Sequence, residues 1–144
     1  MTVLVDTCVW SEAFRRSNGL IPNSTASHLL ELVREGRVLM LGPVRQEILS
    51  GIQNREQFLR LRNILRSFPD LPLSHEDYET AADIQNKCRS VGVQGSNTDF
   101  LICAAAMRTH ATIFTVDHDF QLFARYVKIR IHTYDQMQKI PAKE

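Results

Sequence analysis

Short apolar runs alternate with helical stretches along almost the whole 144-residue chain, and that alternation restricts the fold more than any other feature. The runs at residues 2–5, 38–41, 71–73, 112–115 and 128–131 are short and apolar, and they predict strands. Between them the spacing predicts helices over 9–16, 24–35, 43–50, 55–67, 76–90 and 97–110. Ala26, Leu29, Leu30 and Val33 recur at helical spacing and stop before Gly36. Pro43 suits a first helical turn, and Gly51 suits an end. From Phe100 to Met107 the sequence is apolar nearly all round, the mark of a helix buried on several sides. Each parallel strand connection needs a crossover, so this order implies a parallel sheet covered on both faces. No repeat, low-complexity tract or Pro/Gly/Ser-rich linker breaks the pattern, and one domain over residues 1–144 is expected.

Composition removes several function classes. Charged residues make up 23% and are spread rather than gathered in blocks, which excludes a disordered chain. No apolar run approaches the roughly 20 residues of a membrane span. The start, Met1-Thr2-Val3-Leu4-Val5-Asp6, lacks the basic flank and the apolar length of a signal peptide. Cys8, Cys88 and Cys103 are odd in number and scattered, so they read as reduced thiols and not as a disulfide framework or zinc site. A cytoplasmic protein is the expectation. A net charge of +1 does not by itself announce a nucleic-acid binder. Locally, Arg55, Arg60, Arg62 and Arg66 crowd one predicted helix, and Arg15-Arg16 end another. They form either a solvated helix surface or a rim that attracts phosphate.

In parallel α/β sheets, ligands collect outside the carboxyl ends of the strands. Asp6 directly follows the first run. The second leads through Gly42-Pro43 into a helix carrying Glu47, and the fourth is followed by Val116-Asp117-His118-Asp119-Phe120. Asp99 falls in the first turn of the buried helix, after Ser96-Asn97-Thr98. Four segments thus bring carboxylates to one predicted edge. Each alone has a structural explanation. Asp6 could cap the helix beginning near Val9, and Glu47 could be a solvated neighbour of Arg45. Asp99 could close a capping box with Ser96, and Asp117 or Asp119 could cap a helix from Phe120. None of these explains the shared edge.

Two carboxylates ~5 Å apart repel by about 3 kcal/mol at an effective dielectric of ~20. A cluster must therefore raise its members' pKa or hold a cation. Oxygen ligands without His or Cys suit Mg²⁺ or Mn²⁺, and hydrolysis of a phosphodiester is the reaction most served by such ions. Asp6, Glu47, Asp99 and Asp117 are the catalytic candidates, with Asp119 a fifth.

Here the chain resembles the PIN-domain nucleases, and in particular the VapC-type toxins of type II toxin–antitoxin pairs. The resemblance rests on Val3-Leu4-Val5-Asp6-Thr7, on the stretch from Gly42 to Gly51, on Asp99-Phe100-Leu101-Ile102-Cys103-Ala104-Ala105-Ala106, and on Thr115-Val116-Asp117-His118-Asp119-Phe120. All four occur in order over essentially the whole chain. The resemblance implies an α/β/α sandwich with a short parallel sheet, Mg²⁺- or Mn²⁺-dependent endoribonuclease activity, a homodimer and inhibition by a small cognate antitoxin. It matches Asp6, Glu47, Asp99 and Asp117 to the acidic quartet. It matches Asp119 to a position that can hold a second ion or order water, and Thr7 and Thr115 to supporting hydroxyls. Asp6, Asp99, Asp117 and Asp119 are then the expected metal ligands. A glycine is usual near the third acidic residue, and here Gly95 precedes it by four; His118 between two acidic residues reads as a surface turn residue.

Two other classes compete. Asp-nucleophile phosphatases have a second Asp two residues after the first, where this chain has Cys8. A receiver module has its acceptor Asp after the third strand, where this chain has Ser74, and a Lys after the fifth, whereas Lys128 opens the fifth run here. Both fit poorly. A non-catalytic RNA- or protein-binding domain that keeps the acidic pocket is the other alternative.

Overall fold

Val3, Leu4 and Val5 are all inaccessible to solvent. Successive strand side chains point to opposite faces, so a strand buried at every position must be covered on both. This strand, β1 (Val3–Val5), is the centre of the molecule. The computed structural model describes residues 1–14 and 24–132. After β1 come α1 (Thr7–Ala13), α2 (Ser24–Arg34), β2 (Val38–Leu39), α3 (Gly42–Ser50) and α4 (Arg55–Leu65). They are followed by α5 (His75–Ser90), α6 (Asn97–Thr109), β3 (Thr112–Phe114) and α7 (Asp119–Phe123). The pair Arg15-Arg16, at the end of the helix expected over 9–16, lies outside the described residues.

The sheet is parallel, in the order β2-β1-β3. Leu4 sits opposite Leu39 on one side and Ile113 on the other. Of the two outer runs expected as strands, 71–73 forms no strand, with a bridge of Met40 to Asp70 falling just before it, and 128–131 is reduced to a single bridge of Ile113 with Ile131. For the first, the reason lies in the partner: the Leu71 N–H donates to the Met40 carbonyl at 2.8 Å, but the next acceptor in the ladder would be Gly42, where the chain has already turned into α3. For the second, β3 ends at Phe114, where the chain turns to serve the site described below. The order of elements and the buried sheet are those of an α/β sandwich, as expected.

Helix α6 carries an unbroken buried run from Phe100 to Ala106, which makes it the interior helix that its all-round apolarity predicts. It ends at Thr109, with His110 in the left-handed conformation at φ 59. Arg45 on α3 donates to Asp70 Oδ1 at 2.8 and 3.0 Å and to the carbonyl oxygens of Leu65 and Phe68. This ties α3 to the end of α4. Arg45 is therefore directed at Asp70 and not at Glu47.

At the far edge, His28 on α2 meets His132, Nε2 to Nε2, at 2.8 Å with ring centroids 5.0 Å apart. Each ring thus accounts for about 1.1 Å of the separation, the distance from an imidazole's centre to its nitrogen, so the rings meet tip to tip. One N–H donates to the other ring's lone pair. Both rings also lie against Phe114, at 5.3 and 5.7 Å. Burial pushes both imidazoles below their ordinary range. For His28, Glu31 and Glu35 pull back and Arg37 adds to the depression. For His132, the charge of His28 and then Arg37 add to it, against Glu35.

A histidine depressed in the folded state gives full stability above its unfolded value near 6.5 and loses it as pH falls toward the folded value. Each proton taken up only on unfolding is worth up to about 1.4 kcal/mol per pH unit. The melting temperature should therefore decline between pH 7 and pH 5, and a His28→Asn/His132→Asn double variant should show a flatter decline by circular dichroism. An equally steep decline in that variant would remove the pair as the cause.

Candidate functional site

The β1 ladder runs one residue past the strand, because the Asp6 N–H donates to the Phe114 carbonyl at 2.9 Å. That bond brings the end of β1 beside the end of β3. Asp6 then turns the chain into α1 as its N-cap, with Oδ1 accepting from the Thr7 N–H at 2.7 Å. The capping reading of Asp6 is thus correct, but it uses one oxygen. Asp6 Oδ2 accepts from the Thr115 hydroxyl at 2.8 Å and from the Cys8 thiol at 3.2 Å. The same Thr115 oxygen accepts the Asp117 N–H at 2.9 Å. Thr115 therefore holds one carboxylate by its side chain and the next by its backbone.

Asp99 closes the capping box expected of Ser96: its Oδ2 accepts from the Ser96 N–H at 3.0 Å, while Ser96 Oγ accepts from the Asp99 N–H at 3.1 Å. Asp117 Oδ1 accepts from the Asp119 N–H at 2.9 Å and so fixes the start of α7. Each local role is real. The same three side chains nevertheless converge, with one carboxylate oxygen from each of Asp6, Asp99 and Asp117 within 4.8 Å of the others.

The other expected residues stand around this group and not in it. Glu47 is exposed, and its Oε1 accepts from the Thr7 hydroxyl at 2.7 Å, one residue from Asp6. Asp119 is exposed and contributes its backbone N–H to Asp117, and His118 is exposed as expected of a turn residue. Cys8 was not singled out for the site by sequence reasoning, and Gly95 was noted only as the glycine before the third acidic residue. Cys8 stands two residues after Asp6, on the first turn of α1, and gives its S–H to that carboxylate. Gly95 packs so closely that a Cβ there would lie 2.7 Å from Phe123 and 2.9 Å from Phe100. Any side chain would displace the loop that delivers Ser96 and Asp99. Close packing of this kind has no signature in one sequence beyond the glycine itself.

Asp6 is only 5% exposed, and that burial is the main cause pushing its carboxyl above the usual range. Hydrogen bonds from Thr115, Cys8 and Thr7 pull it back, and the charge of Asp117 adds to the rise. Asp99 is raised by burial, lowered by the Ser96 amide, and raised again by the charges of Asp6 and Asp117. The Cys8 thiol is pushed up to about 11, first by burial and then by the Asp6 charge, and stays an S–H donor at neutral pH. Cys103, deeper in α6, is pushed up further still, and all three cysteines are free.

Among the described residues, no ion pair reaches Asp6, Asp99 or Asp117. Three hard oxygen donors that repel one another, with no ion pair to a Lys or Arg among the described residues, are a fitting donor set for a hard divalent cation.

Comparison with known proteins bears on the family and the fold. A family model described as PIN domain matches residues 3–126. The chain is 30% identical to VapC ribonuclease Mb1587 of Mycobacterium bovis and to Ribonuclease VapC11 of Mycobacterium tuberculosis. Each alignment spans 134 residues, 92% of this chain and 98% of the relative. Among solved structures, FitAcB from Neisseria gonorrhoeae superposes with a TM-score of 0.72 at 23% identity, covering 92% of this chain and 97% of that one. VapBC2 from Rickettsia felis, bound to a DNA fragment from their promoter, also gives 0.72, at 19% identity over 92% and 98%. No helix among the described residues is long and apolar enough to cross a membrane.

Carboxyls raised on folding cost stability as pH climbs through their folded values, and the penalty is complete at neutral pH. Asp117→Asn removes one of the three charges and keeps an acceptor for the Asp119 N–H. In metal-free buffer at pH 7 it should be more stable by on the order of 1 kcal/mol after screening, measured by denaturant unfolding. The gain should vanish below about pH 4, where unperturbed carboxyls are protonated. Millimolar Mg²⁺ should raise the melting temperature of the unaltered chain more than that of the variant. A variant less stable at pH 7, or an equal response to Mg²⁺, would contradict the electrostatic account.

Proposed function

The chain belongs to the PIN-domain family, and from that premise we propose that it is a metal-dependent endoribonuclease, the toxin of a toxin–antitoxin pair. One observation carries the reading: three carboxylate oxygens from distant segments lie within 4.8 Å, and no ion pair among the described residues offsets them. A hard divalent ion, Mg²⁺ or Mn²⁺, held by Asp6, Asp99 and Asp117 would supply charge neutralisation at a phosphate and activation of water.

The chain's own residues divide the remaining work. Thr115 and Cys8 fix the Asp6 carboxylate by donating to Oδ2. Ser96 fixes Asp99, and the Asp119 N–H fixes Asp117. Thr7 holds Glu47 at the open side of the group, where its exposed carboxylate can accept a proton from an attacking water and aim it at phosphorus. Asp119, also exposed, would order a further water or a second ion, the role its match to the family pattern implies. Attack by water instead of the ribose 2′-hydroxyl leaves 5′-phosphate and 3′-hydroxyl ends.

The relatives support the rest of the reading. Two are named ribonucleases, and one similar solved structure is titled a toxin–antitoxin complex from Klebsiella pneumoniae. We carry over to this chain a cognate antitoxin, a homodimeric assembly, a single domain over residues 1–144 and a place in the cytoplasm. An antitoxin that brings an Arg or Lys to the carboxylates would neutralise them as an ion does and shut the site. Single-stranded or looped RNA is the substrate class that suits a recessed acidic group, since its backbone can be splayed into it.

Purified protein with Mg²⁺ should cleave single-stranded RNA, EDTA should stop it, and Asp6→Ala or Asp99→Ala should lower the rate by about 10²-fold or more. End analysis should find 5′-phosphates. Undiminished cleavage in either variant, or 2′,3′-cyclic phosphate ends, would overturn the assignment. No cleavage of any RNA with either ion would favour the non-catalytic alternative.

A further inference from the structure

A carboxylate has two oxygens and about four lone-pair positions, two on each oxygen. Asp6 Oδ2 accepts from the Thr115 hydroxyl at 2.8 Å and from the Cys8 thiol at 3.2 Å, so both of its positions are filled. Asp6 Oδ1 accepts from the Thr7 N–H at 2.7 Å and, among the described residues, from nothing else. One position there is left for a cation. Asp99 Oδ2 accepts from the Ser96 N–H, and Asp117 Oδ1 from the Asp119 N–H. The second oxygens of Asp99 and Asp117 accept no hydrogen bond among the described residues. Each of these two side chains thus gives one oxygen to the fold and keeps the other for the site.

This division bears on which ion fits. Mg²⁺ and Mn²⁺ suit a compact octahedron in which carboxylates give single oxygens and water fills the rest. Ca²⁺ takes about six to eight oxygens and commonly draws both from one carboxylate. To offer both oxygens, Asp99 would give up the bond that starts α6, and Asp117 the bond that starts α7. Asp6 would have to expel Thr115 or Cys8 from Oδ2. Thr115 is tied to a second carboxylate as well, because its oxygen accepts the Asp117 N–H at 2.9 Å. Cys8 directs its one S–H to Asp6, so it is the donor that a substitution can remove without touching Asp99 or Asp117.

Resting on the metal-dependent reading above, we propose that Cys8 is a positioning residue for the choice of ion. Together with Thr115 it fills Asp6 Oδ2, confines Asp6 to one coordinating oxygen, Oδ1, and so favours Mg²⁺ and Mn²⁺ over Ca²⁺. Cys8 acts through Asp6 and is not itself a ligand.

The test is isothermal titration calorimetry of the intact chain, without RNA, against Mn²⁺ and Ca²⁺ separately. The unaltered chain should bind Mn²⁺ at least about tenfold more tightly than Ca²⁺. Cys8→Ala opens a position on Oδ2, and the ratio of the two Kd values should fall by about tenfold, the usual size of an effect exerted through a ligand. Cys8→Ser, which puts a donor back, should restore the ratio. Cys8 is half-buried, and melting curves check that the variants fold. A loss of affinity for both ions by the same factor would reduce Cys8 to packing and overturn the proposal, as would a lowered ratio that serine does not restore. Equal affinity of the unaltered chain for the two ions would overturn it too, and that result stands even where a variant does not fold. Failure of the unaltered chain to bind Mn²⁺ would overturn this inference and the metal-dependent reading together. The expected discrimination without any cleavage of RNA would sink the nuclease reading and leave the role of Cys8 standing.

Discussion

Three carboxylates whose oxygens approach within 4.8 Å repel one another, and the arrangement persists because the fold fixes each of them before they meet. Asp6 is held by three donors, Asp99 by the amide that opens α6, and Asp117 by the amide that opens α7. Nearly every bond in this set also does an ordinary structural job, starting a helix or joining two strand ends. The site is therefore built from helix starts, and the electrostatic strain falls on groups that the architecture already anchors.

The sheet makes this possible. A three-residue central strand, buried on both faces, leaves its next residue at the boundary between core and solvent. Asp6 is thus desolvated enough to gain from a cation, yet near enough to the surface to be reached by one. Parallel pairing places the end of β3 next to it, so Thr115 can reach Asp6 with its hydroxyl. Behind β3, Phe114 packs against His28 and His132, which connects the floor of the site to the far edge of the molecule. Shifting β3 by one residue would turn the Thr115 side chain to the other face and break its hydrogen bonds to Asp6 and Asp117.

Much of this was legible in the sequence, for identifiable reasons. Asp6 and Asp117 follow apolar strand runs, and Asp99 stands three residues after Ser96, so local patterns place all three. Their convergence follows from one topological rule about strand ends. What could not be read depends on contacts between distant residues. Asp117 lies in the group and Asp119 outside it because the Thr115 oxygen captures the Asp117 amide, a turn detail that no spacing encodes. Arg45 turns to Asp70, 25 residues away, and His28 meets His132 across 104 residues. The edge run over 71–73 could have been discounted from Gly42-Pro43, since the neighbouring run gives way to a helix there and leaves it no partner.

The central claim is that the acidic group exists to hold a divalent ion. Crystals of the intact protein soaked in Mn²⁺, with data collected at an energy where manganese scatters anomalously, test it most directly. The account predicts an anomalous peak bonded to oxygens of Asp6, Asp99 and Asp117 at about 2.2 Å. A saturating soak that leaves those carboxylates without a peak, or that places manganese only elsewhere on the surface, would contradict it.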